Sequence, residues 1–263
     1  MSWIEALILG LIQGLTEFLP VSSSGHLEIG KALLGVEAEK SLIFTIVVHG
    51  ATVLSTIVVF RNDILQLLKG LFAFRWNEET QYIALIILSM LPVGIAGLWF
   101  KDQIEGLFSG NMILVGSMLL ITALLLLFTR FFRARERKIS AADALLIGIA
   151  QAVAVIPGIS RSGATIATGL MLGKKREEVT RFSFLMVLIP IIGQNMLSLL
   201  TGEMDSGGAS VSAAALVAGF IAAFVAGLLA CKWMISIVKR GNLVWFAVYC
   251  FIAGLIAIGA GIL

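Results

Sequence analysis

Long apolar runs alternate with short polar interruptions along this chain, and most runs approach the roughly 20 residues a helix needs to cross a bilayer. They cover residues 41–60, 82–100, 111–129, 183–200, 211–230 and 243–262, which predicts about six transmembrane helices. Arg61 and Asp63 close the first run, and the second carries Pro92 and Gly94 before a polar turn from Lys101 to Gly110. Residues 62–81 are expected to form a mixed polar connection, with Trp76 and Tyr82 as interface anchors. His49 falls within the first run and is expected to be a hydrogen-bonded packing residue.

Two apolar stretches break this pattern. Residues 1–20 and 21–35 are too short or too interrupted to cross cleanly, and the join between them, Gln13-Gly-Leu-Thr-Glu-Phe-Leu-Pro-Val-Ser-Ser-Ser-Gly-His26, is rich in polar groups. A carboxylate, adjacent hydroxyls and an imidazole are costly in hydrocarbon. The spacing predicts a helix that ends at Pro20, with Gln13 and Glu17 one turn apart on one face, then a serine turn and a short second arm. A re-entrant helical hairpin fits.

The same arrangement returns in the second half. Glu5-Ala-Leu-Ile-Leu-Gly-Leu-Ile-Gln13 matches Asp143-Ala-Leu-Leu-Ile-Gly-Ile-Ala-Gln151, and Val21-Ser-Ser-Ser-Gly25 matches Ile159-Ser-Arg-Ser-Gly163. The copies differ where chemistry would lie: Glu17 becomes Val155, Ser23 becomes Arg161 and His26 becomes Ala164. One copy holds an acid and a base and the other a fixed cation, as expected of one composite site shared by two halves.

With 59% hydrophobic and 13% charged residues and a mean hydropathy of +1.02, the chain lies outside the soluble range and is expected to be an all-α polytopic membrane protein. It is expected to form a single integral domain over 1–263, with repeat halves of about 1–130 and 139–263. Cys231 and Cys250 sit in apolar surroundings and predict buried thiols, with no disulfide framework or metal knuckle. The first twenty residues lack the basic start of a signal peptide and are expected to belong to the mature protein.

Charge sets an orientation. With 61–81, 130–142 and 231–242 in the cytoplasm, the loops 101–110 and 201–210 lie outside, satisfying the positive-inside rule. The basic run Arg130 to Lys138 then marks topology and needs no nucleic acid, while Lys174, Lys175 and Arg176 suit an interfacial anchor. An odd number of spans between the two copies would invert the second relative to the first, an arrangement also found in secondary transporters. A transporter or flippase for an anionic or isoprenoid-phosphate substrate is therefore the alternative to an enzyme.

The residue inventory favours phosphate chemistry. Arg161 offers a permanent cation with a donor fork, and Ser160, Ser162, Gly163 and Thr165 add donors at a helix start, where anions are favoured. Glu17 suits metal binding or proton handling, and a divalent cation would let it share a site with a pyrophosphate. His26 can move a proton near neutral pH, and Ser23 is a candidate nucleophile, although Ser22 and Ser24 are equally serines; both of these are expected to bind the diphosphate.

The first motif resembles that of the bacterial undecaprenyl-diphosphate phosphatases linked to bacitracin resistance, and Pro157-Gly-Ile-Ser-Arg-Ser-Gly-Ala-Thr165 resembles their second motif, Pro-Gly-x-Ser-Arg-Ser-x-x-Thr. The resemblance implies a cytoplasmic-membrane hydrolase that regenerates a lipid carrier for peptidoglycan. It implies activity from Glu17, Ser23, His26, Ser160, Arg161 and Thr165, supported by magnesium or calcium, at a site facing outward. Gln13 is glutamate in many such proteins, which leaves Glu17 as the principal acidic ligand and Gln13 as a weak one. Attack by Ser23 activated by His26, attack by His26 itself, and attack by water activated by His26 all stay open. The expected partners are the bilayer and a long-chain isoprenyl diphosphate, with self-association possible.

Overall fold

The computed structural model describes residues 1–36, 42–107, 110–132, 137–200 and 211–262. The acidic connection 201–210, residues 133–136 of the basic run and residues 108–109 of the turn after the second run lie outside the described residues.

Among the described residues the chain is α-helical: α1 Trp3–Phe18, α2 Ser23–Leu34, α3 Leu42–Val59, α4 Arg61–Leu71, α5 Glu78–Trp99, α6 Lys101–Gly106, α7 Met112–Phe128, α8 Ala141–Val153, α9 Arg161–Met171, α10 Arg176–Met186, α11 Leu188–Leu200, α12 Ala213–Arg240 and α13 Val244–Ile262. Five segments among the described residues are long and apolar enough to cross a membrane: α5, α7 with its short 3-10 extension, α10 together with α11, α12 and α13. Helix α3 followed by α4, bent by 76°, gives a sixth if the pair is one broken span. The chain is a multi-pass membrane protein.

Helix α12 shows how such a fold packs. Val217, Ile221, Val225 and Leu229 recur every fourth residue and are 48–65% exposed, whereas Ala215, Gly219, Ala223, Ala226 and Ala230 face inward and are buried. Large side chains meet lipid and small ones let helices approach, the reverse of a soluble amphipathic helix. Gly10 of α1 lies so close to Gly219 that a Cβ there would collide with the Gly219 backbone, and Gly148 of α8 meets the backbone of Ser89 on α5 in the same way. Accordingly α1 packs on α12, α8 packs on α5, and α7 pairs with α13.

The two motif copies are built alike. Ser2 caps α1 and Ser140 caps α8, each in a reciprocal capping box with the acid three residues on, Glu5 or Asp143. Ser22 caps α2 and Ser160 caps α9, accepting from the amides of Gly25 and Gly163. Both ends of each hairpin lie together. Met1, Leu34 and Val36 pack on one core that includes Ala6, Leu9 and Leu27, and Arg137 pairs in an isolated bridge with Lys174. The buried Lys174 ammonium also reaches Asp143 and the Lys138 carbonyl. Burial pushes the Asp143 carboxyl up, but the Lys174 and Ser140 contacts outweigh it and hold the group below the usual carboxylate range.

Three boundaries differ from the sequence expectation. The polar connection after the first run contains α4, whose Leu65, Leu68 and Leu71 share its surface with Arg61, Asp63 and Lys69. Asp63 in its first turn and Lys69 in its last complement the helix dipole. The run 183–200 begins earlier, at Arg176, and is split at Val187, three residues before Pro190, where proline cannot accommodate the helical carbonyl one turn back. Helix α12 continues past 230 to Arg240 and stops at Gly241 in the left-handed conformation, φ 77°. The basic residues read as a loop are its last turns, because Lys and Arg are good helix formers that extend their charges to the interface.

Candidate active site

The turns of the two hairpins touch. Ser162 Oγ donates to the Leu19 carbonyl at 3.2 Å, and Gly25 lies against Gly158. This contact brings Arg161, at the start of α9, onto Glu17, at the end of α1, with Nη2 donating to Oε1 at 2.7 Å. The Glu17 side chain is only 6% exposed, and its other oxygen accepts from Ser23 Oγ at 2.5 Å and from Gln13 Nε2 at 2.9 Å. Helical spacing places Gln13 and Glu17 on one face as anticipated. A fixed cation, a buried carboxylate and a serine hydroxyl therefore form one chain of contacts across two halves of the sequence.

The remaining donors support the turns. Ser22 and Ser160 are buried and committed as helix caps, and Ser22 carries an unusual positive φ of 69°. Strain of this kind in a non-glycine residue persists only where its surroundings enforce it. Ser24 Oγ lies 3.4 Å from Ser22 Oγ, and Ser160 Oγ lies 3.3 Å from Ser162 Oγ. Thr165, also buried, donates to the Arg161 carbonyl at 2.8 Å and meets Ser183 Oγ of α10 at 2.5 Å. The Gly163 amide is used by the Ser160 cap. With their amides at the starts of α2 and α9, the two turns point helix N-termini toward one region, a setting that favours an anion.

The two histidines have separate surroundings. His26 is engaged on the other side of the serine turn: Nδ1 lies 2.8 Å from the Ser22 carbonyl and Nε2 lies 2.7 Å from Tyr249 Oη. A carbonyl only accepts, so Nδ1 carries a proton, and in the neutral ring Nε2 accepts from Tyr249. The hydroxyl of Ser23 is held by Glu17 and makes no hydrogen bond to His26. His49, expected to pack, has its Nε2 only 3.9 Å from Glu17 Oε2, while its Nδ1 donates to the Thr45 carbonyl at 2.8 Å.

A narrow cavity of about 20 Å³ adjoins this cluster, lined by Glu17, Arg161, Ser162 and Thr165 together with Thr52 and Thr56 of α3, Ser183 of α10 and Gln151 of α8. Sequence reading missed the α3 face. Its signal was present, since His49, Thr52 and Thr56 recur at helical spacing inside an apolar run. The lone Ser183 carried no such pattern.

Among the described residues no group of three or more His, Cys, Asp or Glu could hold a metal. The oxygens present still suit magnesium, which is bound through one or two carboxylates plus phosphate oxygens and water. Beside the Glu17 carboxylate stands Gln13 Oε1, buried and without a hydrogen-bond partner.

Comparisons with known proteins show the family. The family model described as bacitracin resistance protein BacA matches residues 6–256. The chain is 56% identical over 262 residues to the undecaprenyl-diphosphatase of Bacteroides thetaiotaomicron, covering 98% of each chain. It is 54% identical over 267 residues to that of Parabacteroides distasonis, covering 100% of both. A more distant relative, the undecaprenyl-diphosphatase of Oceanobacillus iheyensis, is 40% identical over 261 residues, covering 95% of this chain and 94% of its own. With an Arg161–Glu17–Ser23 cluster at the meeting of its two motifs and a family match over nearly its whole length, the chain belongs to the bacitracin resistance protein BacA family.

Proposed function

We propose that this chain is a membrane phosphatase that hydrolyses undecaprenyl diphosphate to undecaprenyl phosphate and inorganic phosphate, recycling the lipid carrier for peptidoglycan synthesis. The observation that carries the reading is the contact of Arg161 with Glu17 while Glu17 also holds Ser23. Arginine has five N–H donors, and only one of them is used on Glu17 here, so the fork can hold diphosphate oxygens as well. Amides and hydroxyls at the starts of α2 and α9 add electrostatic stabilisation of the crowded anionic transition state.

Ser23 is the nucleophile in this scheme. Its hydroxyl proton passes to Glu17, its hydrogen-bond acceptor at 2.5 Å, as Oγ bonds to the terminal phosphorus and the lipid monophosphate leaves. His49 Nε2 lies 3.9 Å from the same carboxylate, and with Nδ1 committed to the Thr45 carbonyl it is the ring nitrogen free to receive the proton from Glu17. His26 braces the serine turn through the Ser22 carbonyl and reaches acid–base chemistry only by giving up its bond to Tyr249. A divalent cation would be held by Glu17 and the Gln13 carbonyl, and when bound it supplies neutralisation of diphosphate charge.

The architecture we assign is six spans and two re-entrant hairpins in an inverted repeat. It is supported by the paired ends of each hairpin, the matching caps, and the packing of α1 on α12 and α8 on α5, each hairpin against the other half. The basic cytoplasmic segments put the first hairpin's entry on the outer side, which favours a site open to that face of the cytoplasmic membrane.

Purified protein in detergent with magnesium or calcium should release inorganic phosphate from a long-chain isoprenyl diphosphate without any transmembrane gradient. No phosphate release across cations and pH values, together with lipid movement between leaflets of vesicles, would establish the transporter or flippase instead.

A further inference from the structure

Gln151 occupies in the second hairpin the place that Gln13 holds in the first. Gln13 spends its amide on Glu17, but the corresponding position after Gln151 is Val155, so Gln151 has no carboxylate to hold. Its Nε2 turns to Met90 Sδ at 3.7 Å, a weak acceptor. Its Oε1 is buried with no hydrogen-bond partner among the described residues, in a side chain whose residue is 1% exposed. A buried unpartnered carbonyl is retained against its desolvation cost only where something repays it. Gln151 lines the cavity of about 20 Å³ with Glu17, Arg161, Thr165 and Ser183, where roughly 10–15 Å³ and a few polar partners suffice for one water.

We infer that Gln151 is a positioning residue for the second half of the reaction: its carbonyl and the Glu17 carboxylate hold the hydrolytic water against a phosphoryl group carried by Ser23. This rests on Ser23 being the nucleophile. The water oxygen forms the new bond to phosphorus and the bond from phosphorus to Ser23 Oγ breaks. The proton that Glu17 took from the serine in the first half is lost to solvent; one water proton then returns to Ser23 Oγ through Glu17, its hydrogen-bond partner in the resting structure, and the other leaves with inorganic phosphate. In this assignment Gln151 acts on the water alone, so the first half of the reaction does not need it.

The test uses the full chain in detergent, with magnesium and a long-chain isoprenyl diphosphate labelled in its terminal phosphate. Rapid quenching separates monophosphate lipid from released phosphate and from phosphorylated protein. For Gln151→Leu, monophosphate lipid should form at close to the normal rate in the first turnover, phosphate release should slow by about tenfold or more, and phospho-Ser23 should accumulate. With added methanol, the ratio of methyl phosphate to inorganic phosphate should rise, because a more apolar cavity no longer favours water. Gln151→Glu, which keeps an oxygen acceptor, should restore much of the second step. Gln151→Met serves the same purpose as leucine should leucine disturb folding. Equal slowing of both halves, or no change in either, overturns the assignment. If Ser23→Ala releases phosphate at the normal rate, the serine reading fails. The role of Gln151 then stands only if its leucine variant still slows hydrolysis while binding lipid diphosphate normally, and is otherwise overturned.

Discussion

Glu17 is the residue on which the others converge. It ends α1 where a helical face delivers Gln13, receives Arg161 from the second hairpin and Ser23 from the strained turn, and has His49 beside it. Arg161→Lys keeps the charge but loses the planar fork. It should weaken both lipid diphosphate binding and turnover by about 1.5–3 kcal/mol, roughly ten- to a hundred-fold, in titrations and single-turnover assays. His49→Gln should leave binding nearly unchanged and lower single-turnover phosphate release by about tenfold or more, since it removes the ring beside the carboxylate. Ser55→Ala is the control on the same helix, because Ser55 faces α12 and bonds the Phe224 carbonyl at 2.8 Å, away from the cavity. It should cost about 1 kcal/mol of stability and little activity.

Each hairpin is held by its caps, its paired ends and close backbone approaches. Gly148→Val at the α5 contact should destabilise the protein by about 1–3 kcal/mol in detergent unfolding, because a larger side chain must push two helices apart. The Asp143–Lys174 pair makes a different prediction. The carboxyl is held below its unfolded value of about 3.9, so its contribution is present above that pH and is lost as pH falls through the folded value. Asp143→Asn should therefore lower the melting temperature near neutrality, and the gap to the unsubstituted protein should close below about pH 4. The hairpins were legible in the sequence because prolines and serines interrupt apolar runs of fixed length. Helix α4 was not, because so short an amphipathic helix resembles a mixed loop until α3 is seen to bend at Phe60.

Across the whole molecule, the inverted repeat proposed above would require alternate loops to face opposite sides. Gln103→Cys should react with an impermeant maleimide added to intact spheroplasts, while Lys138→Cys should not, the native Cys231 and Cys250 being buried. Equal labelling in sealed cells would overturn the orientation. Each hairpin packs on a helix of the other half, and neither half could assemble the Arg161–Glu17 contact alone.

Membrane residence, the duplicated hairpins, the pairing of Gln13 with Glu17 and the division of acid and cation between the copies follow from the order of residues alone. They depend on composition, on helical spacing and on runs measured against a bilayer. What only the tertiary structure decided is which groups meet. Ser23 and His26 are near in sequence, yet the start of α2 turns one toward Glu17 and the other toward Tyr249. His49 and Gln151 stand far from Glu17 along the chain, yet α3 and α8 bring one to its carboxylate and the other to the cavity it lines. The physical reason is that local periodicity settles which face of a helix a residue occupies, whereas the partner of that face is settled by long-range packing of small residues between helices distant in sequence.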